Sequence, residues 1–234
     1  MPFNIKSCVE YARKGLRSTL YWAPGGYRAE RFWKRRHLRY KFDMRGVGNC
    51  GLTHAENVDD YRRATEVFLE HCQLHNVDFK RARMLDIGCG TGHYADVFRQ
   101  AGGIRYVGID ITDALFADLR QRHPDFAFRK LDVTQDPVDG IYDLVIMIDV
   151  TQHITDENRF AKTLQHVKAC MAPRGLFVVT SWLDESARRS FYEVSRSMDA
   201  YRREFPEGQF SQPVRYRDKY LFAIQRPETP HDRA

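Results

Sequence analysis

The strongest constraint on the fold is the alternation of short apolar runs with helical patterns across residues 83–182. Strands that alternate with helices of this length predict an α/β fold with a doubly wound, mostly parallel, Rossmann-like sheet. The predicted strands are RMLDIG (83–88), RYVGIDI (105–111), FAFRKLDV (126–133), YDLVIMIDV (142–150) and LFVVTSW (176–182). The predicted helices are GHYADVFRQAG (92–102), TDALFADLRQRH (112–123, capped by Thr112) and DENRFAKTLQHVKACM (156–171).

Two further segments flank this pattern. Thr53 and Glu56 have capping-box spacing, so a helix should begin there and continue through residues 57–75. The preceding residues 1–52 are interpreted as a basic, aromatic, helical N-terminal extension, divided by APGG at 23–26. Residues 53–234 would then form the main domain. Its tail at 209–226 has two β-like runs joined by a polar turn, which predict an antiparallel hairpin at the sheet edge.

The positive charge is concentrated at the N-terminus. Residues 1–48 contain 12 Lys and Arg against three acids, whereas the remainder contains 25 basic and 28 acidic residues. Such a segment suits an anionic partner, either the surface of an anionic membrane bound peripherally or RNA. A solvated helical face explains the same charges equally well.

Composition argues against several other classes of protein. The five cysteines are scattered and include no CxxC pair, so a disulfide framework or a zinc site is not expected. His71 and His75 have helical spacing but lack the HExxH pattern, so no metal is predicted. No run approaches the roughly 18 apolar residues of a membrane span, and no signal peptide is recognisable. A cytoplasmic protein is expected.

A glycine-rich turn follows the first predicted strand. Gly88, Gly90 and Gly92 have G-x-G-x-G spacing, which differs from the G-x-G-x-x-G dinucleotide fingerprint. His93 follows Gly92 where a Walker loop has lysine, so a triphosphate site is also disfavoured. Backbone can still approach a ligand closely at such glycines, and the next helix N-terminus favours an anionic group.

Three acids stand at the ends of three successive predicted strands: Asp86, Asp110 and Asp132. Open α/β sheets bind ligands at this edge, and an acid about 20 residues past the glycines suits a ribose diol. A carboxylate at Asp132 can accept from an exocyclic amine. The pattern indicates a ligand with a ribose, an amino-bearing base and an anionic tail without a diphosphate.

In these motifs the chain resembles the class I S-adenosylmethionine-dependent methyltransferases. The matching segments, in family order, are LDIGCGTG (85–92), VGID (107–110), KLDV (130–133), YDLVIMIDVTQHI (142–154) and APRGLFVVTSW (172–182). The resemblance implies S-adenosylmethionine as the cofactor. By the same resemblance, Asp86, Gly88, Cys89 and Gly90 flank its methionine end, Asp110 holds the ribose and Ile111 lies against the adenine. Asp132 and Val133 would meet the adenine edge, and Ile148 and Asp149 would approach the amino group.

Residues at and just beyond the end of the fourth predicted strand should face the reacting methyl group. Two of them, His153 and Asp149, are the candidate catalytic residues. His153 has an ordinary pKa near neutrality and could remove a proton from a hydroxyl. The alternative is that it packs over the cofactor or caps the next helix. The loop has no NPPY signature, no cysteine and no paired glutamates, which argues against methylation of base amino groups, pyrimidine carbons and protein arginine.

The acceptor pocket should come from outside the core. Two segments are available: the extension, which includes FWKRRH (32–37) and DMRGVGN (43–49), and residues 183–212, interpreted as an acceptor-binding insert and lead-in to the edge hairpin. Arginine suits carboxylate or phosphate, and aromatic faces suit sugars or bases. Solvated helices with buried aromatics are the alternative. The candidate substrate residues are Arg45, Tyr61, Gln152, Arg188, Arg189 and Tyr192.

The sequence therefore predicts a methyltransferase that modifies a hydroxyl of a sugar, a lipid-linked glycan precursor or an anionic small metabolite. Two alternatives remain open at this stage. One is an RNA methyltransferase whose basic arm tracks phosphates. The other is a non-catalytic scaffold that binds the cofactor.

Overall fold

The structure, a computed structural model, describes residues 21–23, 26–185 and 187–228. The first helical piece predicted for the extension lies outside these residues. The strands are β1 (Trp22–Ala23), β2 (Gly26–Tyr27), β3 (Arg83–Ile87), β4 (Arg105–Asp110), β5 (Ala127–Lys130), β6 (Tyr142–Met147), β7 (Met171–Ser181), β8 (Ala187–Ser190), β9 (Glu193–Ser195), β10 (Gln209–Phe210), β11 (Val214–Tyr216) and β12 (Lys219–Gln225). The helices are α1 (Ala29–Tyr40), α2 (His54–Leu74), α3 (His93–Gln100), α4 (Phe116–Arg122), α5 (Glu157–Cys170) and α6 (Met198–Glu204).

An eight-stranded sheet forms the centre of the molecule. Its order is β5-β4-β3-β6-β7-β12-β10, and β11 also pairs with β12. Strands β3 to β7 are mutually parallel, whereas β12 lies antiparallel to β7. The doubly wound sheet and the antiparallel edge predicted from the sequence are confirmed.

Helices cover both faces of the sheet because neighbouring strand residues point to opposite sides. Met84 packs with Phe68 of α2 and Phe98 of α3 on one face. Leu85, the next residue, packs with Leu164 of α5 on the other. From Leu144 to Met147 both faces of β6 are buried, which accounts for the continuous run of apolar residues there.

The capping box that opens α2 forms as predicted. The Glu56 amide donates to Thr53 Oγ1 at 3.2 Å, and the Thr53 amide donates to Glu56 Oε2 at 2.7 Å. The cap predicted at Thr112 is wrong, because α4 begins only at Phe116. Thr112 instead belongs to a tight turn, in which its amide donates to Asp110 and its hydroxyl accepts from the Ala114 amide.

The accessory segments contain short hairpins as well as helices, and α1 lies where the second helical piece of the extension was predicted. In the extension, β1 and β2 form a short antiparallel pair ahead of α1. Gly26 has φ of 103°, which a helix does not allow. Residues 187–195 form a second small hairpin of β8 and β9, followed by α6. Within the part of the chain that the structure describes, no helix has the length and apolar character needed to cross a membrane.

Candidate functional site

A cavity of about 310 Å³ lies at the carboxyl ends of β3, β4 and β6. The sequence-predicted residues that line it are Asp86, Gly88, Cys89, Gly90, Asp110, Ile111, Asp132, Val133, Ile148, Asp149, His153, Tyr61 and Arg188. The extension also contributes to the lining, through Tyr27, Trp33, His37 and Val47. One continuous space therefore joins the predicted cofactor residues to the segment expected to hold the acceptor.

The glycine turn needs glycine for two reasons. Gly88 and Gly90 have φ of 80° and 49°, in the left-handed region. A Cβ on Gly88 would lie 2.3 Å from Val150 Cγ2, and one on Gly90 would lie 3.0 Å from Val47 Cγ1. The turn is therefore packed against both the β6 loop and the extension, and its backbone is exposed to the cavity.

Asp110 is buried at the end of β4 and is held by backbone donors. Its carboxylate accepts from the Gly90 amide at 3.1 Å and from the Thr112 amide at 3.0 Å. Burial raises the pKa of Asp110, and the neighbouring His37 opposes this rise. Burial lowers the pKa of His37, against the attraction of Asp110. Helix α1 thus places an imidazole beside the acid predicted to bind ribose.

Asp86 is a buried acid with one side-chain hydrogen-bond partner among the described residues. Its Oδ2 accepts from the Tyr106 hydroxyl at 2.6 Å. Burial raises the pKa of Asp86 to about 7, although the Tyr106 hydrogen bond favours the ionised form. No cation among the described residues is paired with Asp86. A cationic group bound in the cavity would therefore stabilise the ionised form of the Asp86 carboxylate.

Asp132 shapes the third strand end through a local turn. Its Oδ1 accepts from the amide and the hydroxyl of Thr134, at 3.0 and 2.7 Å. Val133, the next residue, is buried and lines the cavity together with Ile111. The part of the cavity lined by Ile111, Val133 and Asp132 therefore has apolar walls and a carboxylate at its edge. Such a site suits a purine with an exocyclic amine.

His153 follows β6 and has a defined tautomer. Its Nδ1 lies 3.0 Å from the Tyr192 carbonyl oxygen, which can only accept, so Nδ1 carries the hydrogen in the neutral ring. Nε2 is then the nitrogen that can take a proton. Burial lowers the pKa of His153 to about 4, so the ring is neutral at physiological pH. The ring stacks on Tyr192 and meets the edge of Trp33, with centroids 5.4 and 4.8 Å apart.

Asp149 is bound to the edge hairpin. Arg217 Nη1 lies 2.7 Å from its Oδ2, and Lys219 Nζ lies 3.0 Å from its Oδ1. Burial raises the pKa of Asp149, but Lys219 and Arg217 outweigh this and hold the pKa below its ordinary value. Its φ is 59°, and its amide donates to Thr180 Oγ1 at 2.8 Å. Both carboxylate oxygens face cations, which leaves Asp149 poorly placed to accept a proton from an acceptor.

Four predicted substrate residues lie outside the cavity lining: Arg45, Gln152, Arg189 and Tyr192. Arg45 is turned to the surface, where it pairs with Asp43 at 2.6 Å. Arg189 pairs with Asp184 and lies over the Trp182 ring. Gln152 is buried in the short 3₁₀ turn after β6. Tyr192 holds His153 in two ways: its ring stacks on the imidazole, and its carbonyl oxygen accepts a hydrogen bond from Nδ1.

Tyr61 lines the cavity, and its hydroxyl forms a hydrogen bond with the extension. Its hydroxyl donates to the Val47 carbonyl at 3.2 Å, and burial raises its pKa. Arg36 also fixes this region, because its guanidinium donates to the carbonyls of Arg45, Gly46 and Gly48. The extension therefore forms a roof over the cavity, made by β2, α1 and residues 44–48, and these hydrogen bonds join α1 to residues 44–48.

Sequence reasoning missed the individual roof residues Tyr27, His37 and Val47 and the cations of the edge hairpin. The motifs FWKRRH and DMRGVGN contain Trp33, His37 and Val47, but only as parts of a possible acceptor segment. Nothing local identifies Arg217 as the partner of an acid 68 positions away. Among the described residues, no group of histidine, cysteine and acidic side chains is arranged to hold a metal ion.

The family of the chain follows from comparison with known proteins. Residues 57–218 match a family described as "Methyltransferase domain". The chain belongs to the class I S-adenosylmethionine-dependent methyltransferases. S-adenosylmethionine is its cofactor. The cavity fits this cofactor, because it offers side-chain-free backbone at the glycine turn, a buried acid held by backbone amides and an unpaired acid suited to a cation.

Curated relatives match only part of the chain. A highly reducing polyketide synthase of Aspergillus niger is 31% identical over 137 residues, which are 50% of this chain and 5% of that protein. A ubiquinone biosynthesis O-methyltransferase of Rhodopseudomonas palustris is 33% identical over 104 residues, 42% of this chain and 39% of that protein. The chain thus spans less than two fifths of the length of either relative.

Solved structures share the fold at low identity. The N-methyltransferase NodS of Bradyrhizobium japonicum has a TM-score of 0.56 and 19% identity, over 68% of this chain and 86% of that chain. The magnesium protoporphyrin IX methyltransferase of Synechocystis has a TM-score of 0.65 and 14% identity, over 87% of this chain and 100% of that chain. At these identities the likeness concerns the fold alone.

Proposed function

We propose that the chain transfers the methyl group of S-adenosylmethionine to a hydroxyl of a small-molecule acceptor, with His153 as the general base. The observation that carries this proposal is the single tautomer of His153 beside the cavity. Its Nδ1 hydrogen is engaged by the Tyr192 carbonyl, so Nε2 is left as the proton acceptor. Methylation of a hydroxyl needs such a group, since the oxygen must lose its proton as the new bond forms.

Cofactor placement in this proposal follows the strand ends. Asp110 binds the ribose hydroxyls, Val133 and Ile111 enclose the adenine, and Asp132 lies at the adenine edge. Asp86 and the turn at 88–90 face the methionine end. The cofactor, when bound, supplies a methyl group on a sulfonium, which reacts by in-line displacement. The protein must align the acceptor hydroxyl with that methyl group and receive the hydroxyl proton.

His153 suits the second task despite its low pKa. An acceptor oxygen becomes strongly acidic once it begins to bond to the methyl carbon, so a weak base can remove its proton at that stage. Burial keeps the ring neutral, and therefore able to accept, at every pH well above about 4. The stack on Tyr192 fixes the ring plane. Asp149 is assigned to holding the edge hairpin, because Arg217 donates a hydrogen bond to its Oδ2 and Lys219 forms an ion pair with its Oδ1.

The comparisons support a small acceptor without identifying it. The related ubiquinone biosynthesis enzyme is an O-methyltransferase, whereas NodS is an N-methyltransferase. A structural neighbour from Burkholderia thailandensis holds 1,6-didemethyltoxoflavin, a small heterocycle. A hydroxyl acceptor is preferred here because a neutral base lines the cavity.

The test replaces His153 with asparagine, which keeps a donor for the Tyr192 carbonyl but removes the basic nitrogen. We expect kcat at saturating cofactor to fall about a hundredfold, while the affinity for S-adenosylhomocysteine changes by less than about twofold. His75→Gln, at the end of α2 and outside the cavity lining, is the matched control. Full turnover by His153→Asn would remove the general-base assignment. Added imidazole should restore part of the activity of His153→Ala.

A further inference from the structure

A group of aromatic side chains joins the roof of the cavity to the β8–β9 hairpin. We call Tyr27, Phe32, Trp33, Phe191 and Tyr192 the aromatic wall. Ring centroids of Phe32 and Tyr192 lie 4.9 Å apart, and those of Tyr27 and Phe191 lie 5.9 Å apart. Two segments that are distant in sequence therefore meet through ring contacts.

The aromatic wall reaches the cavity beside the proposed base. Tyr27 and Trp33 line the cavity together with His153. The Trp33 and His153 rings meet edge to face, at 4.8 Å and 68°. A molecule whose hydroxyl reaches His153 Nε2 would thus have ring surfaces next to it. Flat ring systems gain more from such contacts than puckered, polar rings do.

Tyr27 carries a hydroxyl group that forms no hydrogen bond with the described part of the chain. Its hydroxyl is buried and has no hydrogen-bond partner among the described residues. A buried phenol without a partner is uncommon, because such groups are nearly always satisfied. Tyr27 lines the cavity, so a ligand oxygen there would supply the missing acceptor.

A cation stands at the same end of the cavity. Arg188, in β8, contributes to the lining, and its Nη1 lies 3.5 Å from the Phe191 carbonyl oxygen. Because the hairpin holds Arg188 near the aromatic wall, an anionic substituent on a bound ring would lie close to a guanidinium, which pairs well with carboxylate.

We infer that the acceptor is a hydroxylated aromatic acid, bound against the aromatic wall with one oxygen accepting from Tyr27 and its carboxylate facing Arg188. This inference rests on the proposed function, since it places the reacting hydroxyl at His153. The inference assigns roles to three recognition residues: Tyr27 to a ring oxygen, Trp33 to the ring face and Arg188, already a candidate from the sequence, to the anionic group.

The experiment measures binding and turnover separately. Calorimetry on protein saturated with S-adenosylhomocysteine uses 3,4-dihydroxybenzoate as the probe and 3,4-dihydroxycyclohexanecarboxylate as its saturated counterpart. We expect the aromatic probe to bind at least about tenfold more tightly. Tyr27→Phe and Trp33→Leu should each lower the affinity for the aromatic probe about fivefold or more and leave the affinity for S-adenosylhomocysteine unchanged. Tyr220→Phe, an exposed tyrosine on β12, is the control.

Catechol extends the test to charge. Arg188→Gln should lower the affinity for 3,4-dihydroxybenzoate and leave the affinity for catechol, which has no carboxylate, unchanged. Equal affinity for the aromatic and saturated probes, no binding of the aromatic probe at millimolar concentration, or no effect of Tyr27→Phe would each overturn the inference.

Product analysis separates this inference from the proposed function. Methyl ether formation on the aromatic probe, lost in His153→Asn, supports both. Methyl ethers formed only on non-aromatic hydroxyls would overturn the aromatic acceptor and leave hydroxyl methylation standing. The expected binding pattern combined with methyl transfer to nitrogen would support the aromatic site and refute the proposed function.

Discussion

The buried acid Asp86 should reduce the stability of the free protein while serving cofactor binding. Burial raises its pKa from 3.8 to about 7. A difference of about 3 pKa units, at about 1.4 kcal/mol each, means that the ionised carboxylate costs the fold about 4 kcal/mol above neutral pH. Asp86→Asn removes that charge, and its amide oxygen can still accept from the Tyr106 hydroxyl.

The sign of the pH dependence follows from the raised pKa of Asp86. Between about pH 4 and pH 7 the folded protein binds more protons here than the unfolded chain does, so the Asp86 contribution to stability falls as pH rises through this window. The stabilising effect of Asp86→Asn should therefore be small near pH 4 and reach on the order of 2–4 kcal/mol near pH 8. Urea unfolding of both proteins across this range measures the difference.

Asp86→Asn should also lower the affinity for the cofactor. In our proposal Asp86 faces the cationic end of S-adenosylmethionine, so binding favours its ionised form and releases a proton. Affinity of the wild-type protein should rise with pH up to about 7, and Asp86→Asn should lower affinity at least about tenfold near pH 8 and flatten the pH profile. Calorimetry in buffers of different ionisation enthalpy reports the released proton. A variant that is less stable than wild type near pH 8, or a stability difference independent of pH, would refute this reasoning.

Three further substitutions test other parts of the site. Asp110→Ala should lower the affinity for S-adenosylhomocysteine, measured by calorimetry, at least about tenfold. Unchanged affinity would refute the proposed contact of Asp110 with the ribose. Arg217→Gln leaves Asp149 with one cation and should lower the free energy of unfolding by about 2–4 kcal/mol in urea titrations; a change near zero would contradict the ion-pair account. Arg36→Gln removes the donor to the carbonyls at 45, 46 and 48, so stopped-flow dissociation of the cofactor should speed up about fivefold; an unchanged rate would show that the roof does not limit release.

Much of the core could be predicted because its signals are local. The order of strands and helices, the capping box at Thr53 and the positions of Asp86 and Asp110 near strand ends all depend on short windows of sequence. The left-handed glycines at 88 and 90 follow from the same motif. These features depend on backbone geometry and on hydrophobic periodicity, which are visible in one sequence.

The rest depends on contacts between distant segments. Trp33 meets His153 across 120 positions, and Asp149 pairs with cations on the edge hairpin. Arg45 was predicted from its charge to bind substrate, and only the structure shows that Asp43, two residues away, pairs with it at the surface. Thr112 looked like a helix cap, but the carboxylate of Asp110 draws its amide into a turn. Burial and pairing of this kind are set by tertiary packing.

The measurement that tests the central claim most directly uses S-adenosylmethionine labelled in its methyl group, incubated with the protein and an extract of its source cells. Labelled products are separated into lipid and glycan, RNA, protein and small-molecule fractions, and the bond type is read from chemical stability. We predict label in small molecules as a methyl ether, absent with Asp110→Ala and strongly reduced with His153→Asn. Label on nitrogen or in RNA, or no transfer by a protein that binds the cofactor, would contradict the account.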